Sequence, residues 1–321
     1  MDNHQLNLLG FSPIEIKDLK FNYREIAERE IQQCQKNGIE IIFREDDFYP
    51  SLLSEIFDPP EYIYVKGDKL VLDTPKIAVV GSRKATAYGR KALGRVVPDL
   101  SRAGLTIVSG MAYGIDSWSH RMAMREGGKT IGVNAGGLFH FYPSGNRSLI
   151  SEIINHGCII SEFPLNTFPR PFFFPIRNRI IAGMVRAVLV IEAALKSGSL
   201  VTARLALEQN RDVFAIPGPI DSTLSQGTND LILQGAKLIR CSQDIFEEYG
   251  IEYQYKENQE IKHLSSKEKI ILDLLDINEV KNIDYFVEQL DFSVSEIISL
   301  LMGLVLKKII IQEEGGYKKL L

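Results

Sequence analysis

Several short stretches of this 321-residue chain combine glycine with hydroxyl or cationic side chains: Gly81-Ser82-Arg83-Lys84, the turn from Ser109-Gly110 to Gly114-Ile115-Asp116, and Lys196-Ser197-Gly198-Ser199. Two more, Ala135-Gly136-Gly137 and Pro217-Gly218-Pro219, are glycine-rich without charge. Glycine lets a backbone approach an anion closely, arginine offers a planar fork of donors, and a helix start presents unpaired N–H groups. Such residues suit phosphate binding; the other reading of any one loop is a tight turn. Catalytic groupings are weaker. Asp116 and His120 lie one helical turn apart and read as an orienting pair or as an i,i+4 contact. Glu162 and Glu192 end two strands that look adjacent, and form either an acid/base pair or buried ion pairs with Arg177 or Arg179.

The usual cofactor signatures are missing. No G-x-G-x-x-G follows the first strand of the central region, and the GGKT at 127–130 has Ala123 where a P-loop needs its first glycine. The sequence therefore predicts no cofactor. No spacing of His, Cys, Asp or Glu suggests a metal, and Cys34, Cys158 and Cys241 are too scattered for a disulfide framework, which suits a reducing cytoplasm. No apolar run reaches the ~20 residues of a membrane span, and MDNHQLNLLG lacks the pattern of a secretory signal.

The elements that must position these loops are legible from residue 76 onward. Six short apolar runs, KIAVV, LTIVS, TIGVN, CIIS, AVLVIE and VFAIP, lack polar alternation, as strands covered on both faces do. Helical segments over 88–102, 115–126, 146–156 and 199–210 alternate with them, which predicts a Rossmann-like, doubly wound, mostly parallel α/β sheet. Pro98 should kink or shorten the first of these helices. In such sheets ligands sit at the carboxyl ends of the strands, where the glycine-rich loops fall. Upstream, residues 4–37 read as short amphipathic helices, 39–43 as a strand, and 46–75 as an ordered connector. Downstream, acids crowd a stretch read as a solvated linker, and 263–321 reads as three helices and a hairpin, the outline of a winged helix. Its third helix, SVSEIISLLMGLVL, has no Arg or Lys before Lys307, which favours protein contact over base reading.

Net charge is −4, so an anionic partner must meet a local basic patch. Two exist. Residues 75–104 hold Lys76, Arg83, Lys84, Arg90, Lys91, Arg95 and Arg102 against Asp99 alone; residues 169–186 hold Arg170, Arg177, Arg179 and Arg186 beside Phe172-Phe173-Phe174. Arginines among aromatics suit a single strand, whose backbone charge and bases are both available; the other reading buries the phenylalanines in the core.

Taken together, VVGSRKATAYGR (79–90), VSGMAYGID (108–116) with His120-Arg121, YPSGNR (142–147), SEFP (161–164), FPIRNRIIAG (174–183), VIEA (190–193), SGSLVTA (197–203), VFAIPG (213–218) and GTNDLILQGAKLI (227–239) resemble the DNA-processing protein A (DprA, or Smf) family in order over roughly 165 residues. The resemblance implies a protein that binds single-stranded DNA without strong sequence preference, protects it in natural transformation, loads the RecA recombinase and forms a homodimer through the Rossmann-like domain. It implies no enzymatic activity. It carries DNA contact onto Gly81, Ser82 and Arg83, the Gly110–Gly114 turn, Arg177, Asn178 and Arg179, and Lys196 to Ser199, with Lys84 beside them. It divides the chain into a helical, SAM-like domain (1–45), a Rossmann-like domain (46–242, with 46–75 as lead-in), a linker (243–262) and a winged-helix domain (263–321). The alternative is a nucleotide N-glycosidase similar to the phosphoribohydrolases, but SGSLVT stands where their PGGxGT signature belongs.

Overall fold

A computed structural model describes residues 13–253, 264–275, 279–307 and 309–319, with the side chains of 13–23 left aside. Residues 1–244 and 245–321 form two compact units. The first is built on a nine-stranded sheet, in the order β1-β2-β6-β5-β4-β3-β7-β8-β9. The strands are β1 (Ile39–Phe43), β2 (Tyr62–Gly67), β3 (Lys76–Val80), β4 (Thr106–Ser109), β5 (Thr130–Val133), β6 (Gly157–Ser161), β7 (Ala187–Val190), β8 (Asp212–Ala215) and β9 (Lys237–Leu238). From β6 to β9 every neighbouring pair is parallel, and β2 joins β1 and β6 antiparallel. The chain runs from β3 outward to β6, then crosses to β7 on the other side of β3. Neighbours β3 and β7 thus send their following loops in opposite directions, which opens a crevice between their carboxyl ends.

The helices are α1 (Pro13–Lys36), α2 (Ser51–Ser54), α3 (Ala87–Arg102), α4 (Ile115–Arg125), α5 (Arg147–His156), α6 (Phe173–Gly183), α7 (Gly198–Glu208), α8 (Gln226–Leu233) and α9 (Ser242–Tyr249). Strand side chains are buried on both faces: Ala78, Val80, Val108 and Val190 join the core formed with Ile180, Ile181 and Ala203, while Ile77, Val79 and Ile107, of opposite parity, are equally inaccessible. This is why the strands read as unbroken apolar runs. Pro98 sits inside α3 without ending it; the helix continues to Arg102.

The structure departs from the sequence reading in several places. Residues 13–36 form one helix instead of several, and residues 4–12 of that expectation lie outside the described residues. The connector over 46–75 contains β2, whose hydrogen bonds tie β1 into the main sheet. The stretch beginning FPIRNRIIAG is helix α6; Pro175 falls in its first turn, where a missing N–H costs little. The segment read as a solvated linker opens with α9, where Ile245 and Phe246 are wholly buried and the Ser242 hydroxyl donates to Asp99 (2.7 Å).

The second unit comprises α10 (Ser266–Leu274), α11 (Ile283–Gln289), α12 (Val294–Leu306) and the hairpin β10 (Ile310–Glu313) and β11 (Gly316–Lys319). Ser265 and Glu268 close a reciprocal capping box at the start of α10. Its core gathers Ile271, Phe286, Ile297, Leu301, Leu304 and Tyr317. Among the described residues no single helix is long and apolar enough to cross a membrane.

Candidate nucleic-acid interface

A cavity of about 670 Å³ opens at the carboxyl edge of the sheet, between the loops that follow β3 and β7. Gly81, Arg83, Asp116, Tyr142, Phe174, Arg177, Asn178 and the Ser197-Gly198-Ser199 turn line it, with Pro169 and Pro171 on one wall. The size suits a nucleotide-sized ligand.

Arg177 is the internal strut. It is buried (5% exposed), and its Nη1 donates to the Gly110 carbonyl (2.7 Å) and to the Val133 carbonyl, at the ends of β4 and β5. Its Nε donates to Asn178 Oδ1 (3.1 Å). Burial lowers its pKa to about 10, so it stays charged at neutral pH. Gly110 is required here, because a Cβ would lie 2.6 Å from this guanidinium. Gly114 starts α4 at φ +77°, and a Cβ there would meet the Ser82 carbonyl at 2.2 Å. Ser82 is turned inward: its hydroxyl accepts from Lys84 N (3.1 Å) and its carbonyl from Ile115 N (3.1 Å). Asn146, from YPSGNR, donates to the Met111 carbonyl and to Ser117 Oγ, both at 2.9 Å, and pins the same turn. Ser82, Gly110 and Gly114 therefore shape the rim without lining the cavity.

Arg83 differs in kind. It is exposed, makes no ion pair with any described residue, and its guanidinium lies 5.6 Å from the centre of the Phe174 ring; Arg177 lies 5.9 Å from the same ring. Tyr142 meets Phe174 edge-on at 5.7 Å. Of the three phenylalanines, Phe173 is core, Phe172 is exposed and Phe174 faces the cavity. On the opposite wall Ser197 caps α7: its hydroxyl accepts from Ser199 N (3.3 Å). Gly198 has open space where a Cβ would be, and its φ lies outside the left-handed region. No protein atom explains that glycine, whereas a ligand approaching the start of α7 would. Gly198→Ala is therefore expected to weaken anion binding while unfolding stability holds or rises by about 0.4–1 kcal/mol, measured by titration and urea denaturation.

Two predicted arginines part company. Arg179 does not line the cavity: its Nη2 donates to Glu162 (2.6 Å) and its Nε to Asp58 (3.4 Å). Burial raises the Glu162 pKa, and Arg179 counters that. Lys84 and Lys196 are exposed beside the rim but do not line it. Arg186, at the start of β7, belongs to the opposite edge.

No acid/base pair forms. Glu192 is buried and accepts from Thr86 N (3.0 Å) and from the Thr86 hydroxyl, which fixes the start of α3. Glu162 follows β6, and β5, β4 and β3 lie between β6 and β7, a separation of about 19 Å at strand spacing. Asp116 and His120 also separate. His120 Nδ1 meets Thr130 Oγ1 (2.6 Å), whose hydroxyl donates to the Ile107 carbonyl (2.7 Å), so the ring donates from Nδ1. Burial holds His120 neutral, with its pKa lowered to about 3. Asp116 lines the cavity, and burial pushes its pKa up to about 6, against the pull of Arg177 and of backbone N–H groups including that of Ala112. A pKa raised above its ordinary value means that a proton is taken up as pH falls through about 6. The cavity then loses a negative charge, so anion binding should strengthen between about pH 7.5 and 5, and Asp116→Asn should flatten that dependence in titrations.

The chain is thus a Rossmann-like α/β protein with an arginine-bearing, aromatic-walled cavity at the switch point of its sheet. The sequence model described as DNA recombination-mediator protein A matches residues 40–250, and the chain belongs to that family. It is 43% identical over 221 residues to the DNA processing protein DprA of Bacillus subtilis, covering 68% of this chain and 74% of that one. The X-ray structure of DprA from Streptococcus pneumoniae superposes with a TM-score of 0.68 at 42% identity, covering 76% of this chain and 83% of the other. The DNA processing protein A of Helicobacter pylori, whose structure is described in terms of its single-stranded DNA binding mode, gives 0.60 at 32% identity, over 67% and 98% of the two chains.

Proposed function

We propose that this chain binds single-stranded DNA at the carboxyl edge of its sheet, with little regard to sequence, and acts there as a recombination mediator. The observation that carries the reading is Arg83: a guanidinium without a carboxylate partner among the described residues, beside Phe174 and opposite the start of α7, in a cavity at the switch point. A phosphate would engage Arg83 and the α7 N–H groups, and unpaired bases would stack on Phe174 and Tyr142. The likeness to the Helicobacter pylori protein supports the same ligand.

Finer parts of the proposal rest on family membership. They are protection of incoming DNA in natural transformation, transfer of the strand to RecA, a homodimer through the Rossmann-like domain and a cytoplasmic location. We assign the sheet unit (46–242) as the DNA-binding domain, preceded by a SAM-like segment (1–45), and 263–321 as a winged helix. The exposed face of α12 carries Val294, Ile298, Met302 and Leu306, which favours a protein partner over DNA for that unit. Binding without catalysis fits the internal commitments of Glu162 and Glu192. Deleting residues 264–321 tests the assignment: oligo-dT affinity should stay within about threefold of the full chain, and its loss would move the DNA site to the second unit. Release of free base from nucleoside monophosphates at enzymatic rates would favour the glycosidase reading instead.

A further inference from the structure

The proline wall of the cavity belongs to a loop with an exposed surface of its own. Pro169 and Pro171 line the cavity, and Phe168, Arg170 and Phe172, which alternate with them, are exposed. Phe168 is 65% exposed although its ring lies against that of His140, with centroids 3.7 Å and planes 29° apart. His140 stands two residues before Tyr142, which lines the cavity and meets Phe174 edge-on. Phe141, between them, packs against the core that holds Leu138 and Leu165. Rings at the cavity wall are thus followed within two residues by a stacked pair that reaches the surface.

We propose that a single strand held in the cavity continues over this loop, stacking a base on the uncovered face of Phe168 and setting a phosphate against Arg170. This extends the DNA-binding reading of the cavity and rests on it.

The loop is braced without a ligand. Gly137 N donates to the Thr167 carbonyl (2.8 Å) and Phe139 N to the Leu165 carbonyl (3.1 Å), which joins the loops that follow β5 and β6. The buried Asn134 amide donates to the carbonyls of Gly136, Gly137 and His140 (2.9, 3.0 and 3.0 Å). A Cβ on Gly136 would lie 2.8 Å from the Pro169 ring, so the two loops interlock closely. From the other side, Glu30 of α1 accepts from Leu165 N (2.7 Å). A ring fixed in advance loses little freedom when a base settles on it.

A single exposed phenylalanine is ordinary protein surface. Phe168 has more around it: an imidazole covers one face, the other is open, and Arg170 follows two residues on, with no ion pair to any described residue. Its neighbour in the chain, Pro169, is already part of the cavity wall, so the strand that occupies the cavity is the occupant in reach. Cations beside accessible rings suit an unpaired strand, whose bases are free to stack; a duplex keeps its bases on each other.

The test compares Phe168→Ala, Phe168→Tyr, Arg170→Gln and Arg83→Ala in the full chain, titrated by anisotropy with an oligo-dT of about twenty nucleotides across a salt series. Phe168→Ala should bind about 5- to 150-fold more weakly, the loss of one base–aromatic stack. Its salt slope should not change, because a stack releases no counterions. Phe168→Tyr should bind as wild type does. Arg170→Gln should make the slope shallower by about 0.7, and an unchanged slope would overturn the phosphate contact. Wild-type affinity in Phe168→Ala beside a weakened Arg83→Ala would leave the cavity as the DNA site and overturn the extension; altered sedimentation of that variant would then assign the ring to contact between copies. Unchanged affinity in Arg83→Ala would overturn the cavity reading, and the extension with it. A loss that Phe168→Tyr shares would make Phe168 a brace of the loop and overturn the stack.

Discussion

Arg83→Ala is expected to weaken oligo-dT binding roughly 10- to 100-fold, the effect of losing about 1.5–3 kcal/mol of charge-assisted hydrogen bonding. The loss should be equal for dT, dA and dC strands, because a phosphate contact carries no sequence information. The salt slope should fall by about 0.7. Stability should not change: the guanidinium is exposed, donates to no described residue and meets only the Phe174 ring. Anisotropy titrations beside a thermal melt separate the two quantities. A variant that melts early and binds normally would show Arg83 to be a packing residue.

Arg177→Ala has the opposite profile, although both residues line the same cavity. The substitution strips donors from the buried carbonyls of Gly110 and Val133 and leaves Asp116 without its cation. Breaking a buried charged arrangement of this kind costs about 3–5 kcal/mol, a large share of the 5–15 kcal/mol that holds a typical domain folded. Urea denaturation should show the loss directly. Arg177→Lys should recover only part of it, because an ammonium cannot reach both carbonyls and Asn178 with one planar fork. DNA binding should fall as well, but through collapse of the Gly110–Gly114 turn. A loss of stability below about 1 kcal/mol with binding abolished would recast Arg177 as a ligand contact.

The contrast explains what could be read in advance. The strands β3 to β8 were legible because both of their faces are covered, so nearly every position is apolar. Helices α3, α4, α5 and α7 followed from their periodicity. Helix α6 did not: no helix is read over this proline-containing stretch, whose Pro175 is tolerated in the first turn. That omission propagated to the site. Residues 177 and 179 are two apart, about 200° around a helix, so only one of them can face the cavity; with no helix assigned they look equivalent. The Arg179–Glu162 pair is the consequence. Strand β2 was hidden by its Pro- and Asp-rich flanks. Glu162 and Glu192 looked like neighbours because sequence order does not reveal that the chain crosses over at β3 before laying down β7.

The glycines divide in a similar way. Gly81, Gly110 and Gly114 look like phosphate contacts in the sequence. Their missing Cβ atoms make room for Ile115, for the Arg177 guanidinium and for the Ser82–Arg83 backbone. They position the site by letting three loops interlock. Gly198, indistinguishable from them in sequence, is the one of these four rim glycines with space left open.

Photocrosslinking of an oligo-dT carrying 5-iodouracil, followed by mapping of the adducts by mass spectrometry, tests the central claim most directly, since the reagent marks aromatic side chains stacked on the base. The account predicts adducts on Phe174 or Tyr142, at the cavity wall, competed away by unlabelled single strands of any sequence. Adducts confined to residues 264–319, with the cavity aromatics unmodified, would contradict it.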